Sequence, residues 1–158
     1  MMKKNKEQLE YRMYGLVPYN ISPIQQGIQF GHAVVEYGLK HSKSDEYQRW
    51  AKHDKTFIIL NGGTTNNSGY LDSMGTLNKH LVTLQENKIP LAVFHEPDLG
   101  NQLTGVVFLV DERVFNKDKY PLDTFEPFPE DVWTEKIPKK DLKKILFLRE
   151  FLQQFRLA

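Results

Sequence analysis

Cysteine is absent from the chain, and with it go disulfides, thiolate metal sites, iron–sulfur clusters and cysteine nucleophiles. Long apolar runs are missing too. No stretch nears the ~20 residues of a membrane-spanning helix, and mean hydropathy is -0.52. The basic N-terminal stretch, residues 1–10, has no apolar segment behind it, which argues against a secretory signal. The expectation is a soluble cytoplasmic protein with no membrane partner. Nor does one charge dominate: 21 basic and 20 acidic side chains leave a net +1. That argues against a strongly basic nucleic-acid coat but not against a local patch. His41, His53, His80 and His95 lack a metal-binding spacing such as H-E-x-x-H, so neither a metal nor a cofactor is expected. Internal repeats and low-complexity tracts are also missing.

What is present suits one domain of 158 residues, large enough to bury a core without staples. Residues 1–10 read as a tail and residues 11–110 as an α/β domain. Residues 111–138 read as an acidic, proline-rich connector, and residues 139–158 as a basic amphipathic helix. The connector holds Pro121, Pro127, Pro129 and Pro138, a density that forbids helix. Tyr11–Val17 is a strand candidate closed by Pro18. Ser22-Pro23 opens a helix running to about Lys40: a hydroxyl caps free amides and proline takes the first helical position. Ile24, Ile28, Gly31, Val35 and Leu39 make its expected core stripe, widened by Ala33, Val34 and Tyr37. Ser44–Lys52 is a short helix anchored by Trp50. Thr56–Leu60 reads as a buried central strand, and Asn61–Gly69 as a mobile loop. A helix over Leu71–Asn87 would point Leu71, Met74, Leu77, Leu81 and Leu84 inward. Pro90–His95 and Leu103–Val110 are strands joined too tightly for a crossover helix, hence antiparallel if adjacent. Asp141–Phe155 is a helix with Ile145, Leu148, Leu152 and Phe155 on one face, expected to pack on its own domain. The order predicts right-handed crossovers and a mixed four-stranded sheet with helices on both faces.

The first helix carries a second stripe. Gln25, Gln29, His32 and Glu36 share a polar face beginning at the positive end of the helix dipole. Amides and an imidazole there suit phosphate, ribose or a carbonyl; a solvated face, or a histidine bonded to backbone, is the plain alternative. The segment between the last two strands holds Glu96, Asp98, Asn101, Gln102 and Thr104. Glu96 or Asp98 could serve as a general base, and Asn101, Gln102 and Thr104 could bind a carbonyl or hydroxyl. An ordinary turn explains Gly100 and Asn101 equally well. Tyr14, Tyr19 and Phe30 could stack a base, although aromatics there are more often core. The Asn61–Gly69 loop lacks the lysine and spacing of a phosphate-binding P-loop.

Strand Tyr11–Val17 followed by Gln29-Phe30-Gly31-His32-Ala33-Val34-Val35 resembles the archaeal and eukaryotic, type 2 peptidyl-tRNA hydrolases, which carry a Q-C-x-H-A-A pattern in their first helix. Leu91–Val110 is similar in layout to the last two strands of that family. The resemblance spans about Tyr11 to Val110. Phe94–Leu99 and the ending Phe147–Ala158 also look like segments of phage and bacterial relatives of the family. It implies an ester hydrolase acting on tRNA. The family's acid maps onto Glu96, with Asp98 the other candidate, and its threonine onto Thr104. Its key lysine falls on Gln25, its D-A-G-R-T-Q loop has no matching arginine here, and the span from acid to threonine is shorter. Lysine and arginine are what a tRNA backbone requires; Lys136–Lys144 and the N-terminal lysines are the substitutes on offer. Asp111 onward has no counterpart in the compact hydrolase. A non-catalytic nucleotide-, RNA- or protein-binding module on the same fold is the other expectation, and either is compatible with a homodimer.

Overall fold

The structure, a computed structural model, describes residues 8–122 and 136–158. Within the 111–138 connector, read from sequence as free of helix, Glu112–Phe115 forms one helical turn, since Asp111 caps it and the first proline comes only at Pro121. The proline-rich expectation for residues 123–135 and that for the tail over residues 1–7 lie outside the described residues. Four strands form one mixed sheet: β1 (Tyr11–Pro18), β2 (Thr56–Gly63), β3 (Ala92–Glu96) and β4 (Gln102–Asp111), in spatial order β2-β1-β4-β3. β1 runs parallel to β2 and antiparallel to β4, and β3 is antiparallel to β4. The long helix α1 (Pro23–His41) supplies the β1–β2 crossover and is capped by Ser22, whose hydroxyl accepts from the Gln25 amide.

β1 alternates strictly, and that alternation divides the molecule. Met13 and Val17 face α1, Phe30, Ala33, Tyr37 and Trp50. Tyr14 and Leu16 face the opposite layer, with Leu77 and Leu84 of α3 (Thr76–Glu86) and Ile145, Leu148 and Phe151 of α5 (Lys139–Leu152). Between them lie α2 (Asp45–Arg49), which runs into a π-helical turn over Trp50–Asp54, and α4 (Glu112–Phe115), one turn after β4. The C-terminal helix therefore packs on its own domain. Arg113 ties it down, donating to Asp111 at 2.9 Å and to Asp141 at 3.0 Å.

Four further sequence expectations are corrected. Ile24, Ile28, Val35 and Leu39 of α1 are exposed by 76%, 43%, 63% and 74%, while Gln29, Phe30, Ala33 and Tyr37 are buried. The helix has two apolar faces, and the sheet takes the one carrying rings and a small residue. Gly15 of β1 makes room for it, since a methyl group there would fall 2.3 Å from the Phe30 ring. β2 is an edge strand and not a central one. Its outer side is met by the chain's own end: Leu60 bridges Leu157, and the Asn61 amide donates to the Arg156 carbonyl. α3 starts at Thr76, not near Leu71, because Gly75 takes the cap position, and Leu71 is left exposed. Asn61–Gly63 continues β2, and the following residues are fastened by side-chain hydrogen bonds instead of hanging free.

Candidate functional site

The site begins with a break in β4. Pairing between β3 and β4 slips by one residue between Phe94 and His95. Beyond the slip, Val106 and Phe108 face α5 and Val107 faces α1. Regular alternation would send Thr104 with Val106. The bulge sends Leu103 to that side instead and turns Thr104 toward α1. Gly105 follows, and there a Cβ would sit 3.0 Å from both the Ala33 methyl and the Gln29 carbonyl oxygen. The missing side chain lets α1 lie close over β4 at the level where Thr104 and Gln29 meet.

Gln29 is 3% exposed and Thr104 0%. The Thr104 hydroxyl donates to Gln29 Oε1 at 2.6 Å, with the Phe94 carbonyl oxygen 3.4 Å away. Gln29 Nε2 donates to Glu96 Oε2 at 3.2 Å. Both ends of a buried amide are thus satisfied, as burial demands. The half-exposed Glu96 carboxylate is held by a neutral donor, and among the described residues no ion pair involves it. Of the eight residues proposed from sequence, these three are joined.

The others lie around them. Gln25 is exposed one helical turn before Gln29, about 5–6 Å along the same face. His32 is exposed and stacks on Phe94, with ring centroids 4.5 Å apart. Asp98 is exposed in the short turn Pro97–Leu99. Asn101 is exposed in a left-handed conformation, φ 59°, and its amide closes the turn onto the Glu96 carbonyl at 2.9 Å. Gln102 pairs opposite Glu96, and its buried Oε1 accepts no hydrogen bond among the described residues.

Two side chains that the sequence reading did not single out complete this end. Asn67 Nδ2 donates to the Asn101 carbonyl at 2.8 Å, and Asn78 of α3 donates to Asn67 Oδ1 at 3.1 Å. The loop after β2 is thereby pinned to the β3–β4 turn. The density of Asn and Gly over residues 61–69 was the available signal, but it does not say which asparagine reaches which strand.

The expected aromatic platform is not assembled. Tyr14 is buried on the α5 side of the sheet and Phe30 is buried beneath α1; of the three, only Tyr19 is exposed. Lys139, Lys140 and Lys143 are exposed near Asp141, which Arg113 ties to the far end of β4. Ten residues of strand put that end roughly 30 Å from the Glu96 turn, so these lysines are remote from the carboxylate.

A cavity of about 310 Å³ opens elsewhere, beside Gly62, Thr76, His80 and Arg156. Burial against Phe151 and Phe155 holds the His80 pKa below its ordinary value. No helix among the described residues is long and apolar enough to cross a membrane. Compared with models of known protein families and with curated proteins, the sequence finds no match.

Proposed function

We propose that the protein hydrolyses an ester on an acylated tRNA, as a divergent relative of the type 2 peptidyl-tRNA hydrolases. The observation that carries this reading is Gln29 linking a half-exposed Glu96 carboxylate to the buried Thr104. Glu96 takes a proton from water as the water oxygen attacks the ester carbonyl carbon. Negative charge develops on the carbonyl oxygen, and the exposed Gln25 amide is the donor on offer to it. When the tetrahedral intermediate collapses, the bond to the ribose oxygen breaks and that oxygen takes the proton back from Glu96. Gln29 is a positioning residue here. Thr104, sealed from solvent with its hydroxyl committed, holds Gln29 and does not touch substrate.

Purified protein incubated with peptidyl-tRNA at low salt should release free tRNA. Glu96→Gln, which keeps the shape and removes the base, should lower the rate by about 100-fold or more. Release by the native protein no faster than by Glu96→Ala would sink the hydrolase reading.

A second reading is favoured by a different observation: among the described residues no cation is bonded to the Glu96 carboxylate, and the α5 lysines sit at the far end of β4. On that reading the fold is a non-catalytic module for a nucleotide, RNA or protein. A nucleotide held at a hundred times its Kd stabilises its binder by ~2.7 kcal/mol. A melting shift with a nucleotide panel, together with no tRNA release, would favour the module.

A further inference from the structure

We infer that α1 is the seat of a homodimer, in which two copies of the helix pack antiparallel through Ile24, Ile28, Gly31, Val35 and Leu39. These residues form one stripe on the side of α1 away from the sheet. From Ile24 to Leu39 it is about 22 Å long, and its four large side chains are 43–76% exposed. A helix that is apolar on both faces is ordinarily covered on both, and an apolar surface this continuous marks a contact site. A stable interface takes roughly 800 Å² per partner, so residues flanking the stripe on α1 join it in the contact.

The spacing selects a second copy as the occupant. The stripe is symmetric about the point between Gly31 and His32. Ile24 and Leu39 are equally far from that point, and so are Ile28 and Val35. A two-fold axis there sets Ile24 on the partner's Leu39 and Ile28 on the partner's Val35, the self-complementarity an isologous contact requires. Nothing lies within 4 Å of where a Cβ would stand at Gly27 or Gly31, so the backbones are free to approach near the crossing. No charge interrupts the stripe. Lys40 and His41 both reach the Leu91 carbonyl, which takes them away from a facing helix. Antiparallel packing also opposes the two helix dipoles favourably.

The test is the oligomeric state of the full chain by sedimentation from low to high micromolar concentration. The native protein should be a dimer. Ile28→Glu and Val35→Lys, each at an exposed position, should weaken self-association about tenfold or more while circular dichroism stays native. Mixing the two variants should restore dimers, because the acid at position 28 then faces the base at position 35 of the other chain. A native protein monomeric throughout overturns the inference, as does a dimer indifferent to both variants. Co-sedimentation of a monomeric protein with anionic lipid vesicles, lost in Ile28→Glu, would assign the stripe to a membrane surface and overturn it likewise.

Discussion

Gln29 accepts the Thr104 hydroxyl's hydrogen at 2.6 Å and gives its own amide to Glu96, so a sealed residue on β4 sets the position of a carboxylate on β3 that water can reach. The relay crosses from strand to helix and back to the neighbouring strand. It exists because a bulge turns Thr104 out of register and because Gly105 lets the helix descend. Covalent connectivity alone would not couple Glu96 to Thr104, since seven residues, a turn among them, lie between the two.

Thr104→Val keeps the shape of the side chain and removes its donor. Gln29 Oε1 is then left buried without its short hydrogen bond, a loss of about 1–3 kcal/mol. Urea unfolding should show the midpoint falling with the slope unchanged. Under the hydrolase reading the turnover number should fall more than substrate affinity changes, because Glu96 loses its aim while the exposed surface stays the same. An unmoved midpoint would mean that the threonine oxygen contributes nothing to the relay.

Gly105→Ala probes the other half of the arrangement. The added methyl meets the Ala33 methyl and the Gln29 carbonyl oxygen, both at 3.0 Å, and one of these is backbone that cannot swing aside. α1 must lift from β4, at a penalty of about 1–3 kcal/mol. Because Gln29 belongs to the lifted turn, its bond to Glu96 should loosen as well. Urea titration of the variant measures the penalty, and a native-like midpoint would show that the helix has slack over the strand.

Much of this frame is legible in the chain itself. Ser22-Pro23 announces the start of α1, and the short link between Glu96 and Gln102 implies an antiparallel pair; both are present. The buried face of α1 is not legible, because that helix carries two apolar stripes and periodicity cannot say which one meets a sheet. Aliphatic Ile24, Ile28, Val35 and Leu39 are the more hydrophobic set, yet the sheet chose Phe30, Ala33 and Tyr37. Space left by Gly15 and Gly105 decides this, and such fit between distant residues has no local signature. The site was half readable for the same reason. Gln29, Glu96 and Thr104 were visible as polar residues next to apolar strands. The bulge that joins them was not, and neither was the reach of Asn67 across to Asn101.

The attachment of α5 can be measured by two substitutions. Leu148 is 1% exposed within the core under the sheet, so Leu148→Ala should cost about 2–5 kcal/mol in transfer and cavity energy. Arg113→Ala removes the partner of Asp111 and Asp141 and leaves two carboxylates partly buried. At their 11% and 31% exposure, solvent screens part of that loss, and about 1–3 kcal/mol is expected. Denaturant unfolding of both variants should remain a single cooperative transition. A separate early transition in either would show that the last helix unfolds independently of the sheet.

His80 should make stability depend on pH, and the sign follows from its burial. Contact with Phe151 and Phe155 disfavours the charged ring in the folded protein, so its pKa lies below the ordinary 6.5. As pH falls through 6.5, the unfolded chain takes up a proton that the folded chain refuses, and the folded state loses ground. The loss grows until pH drops below the folded value as well and is constant beneath it. His80→Leu preserves an apolar contact with both rings and removes the proton. Melting measured at about pH 7.5 and about pH 5.5 should therefore fall more steeply for the native protein than for the variant. The other histidines and the carboxylates are common to both proteins and cancel in the comparison. Equal slopes would show that His80 has the same proton affinity in the folded and unfolded chains, and that the aromatic pair does not desolvate it.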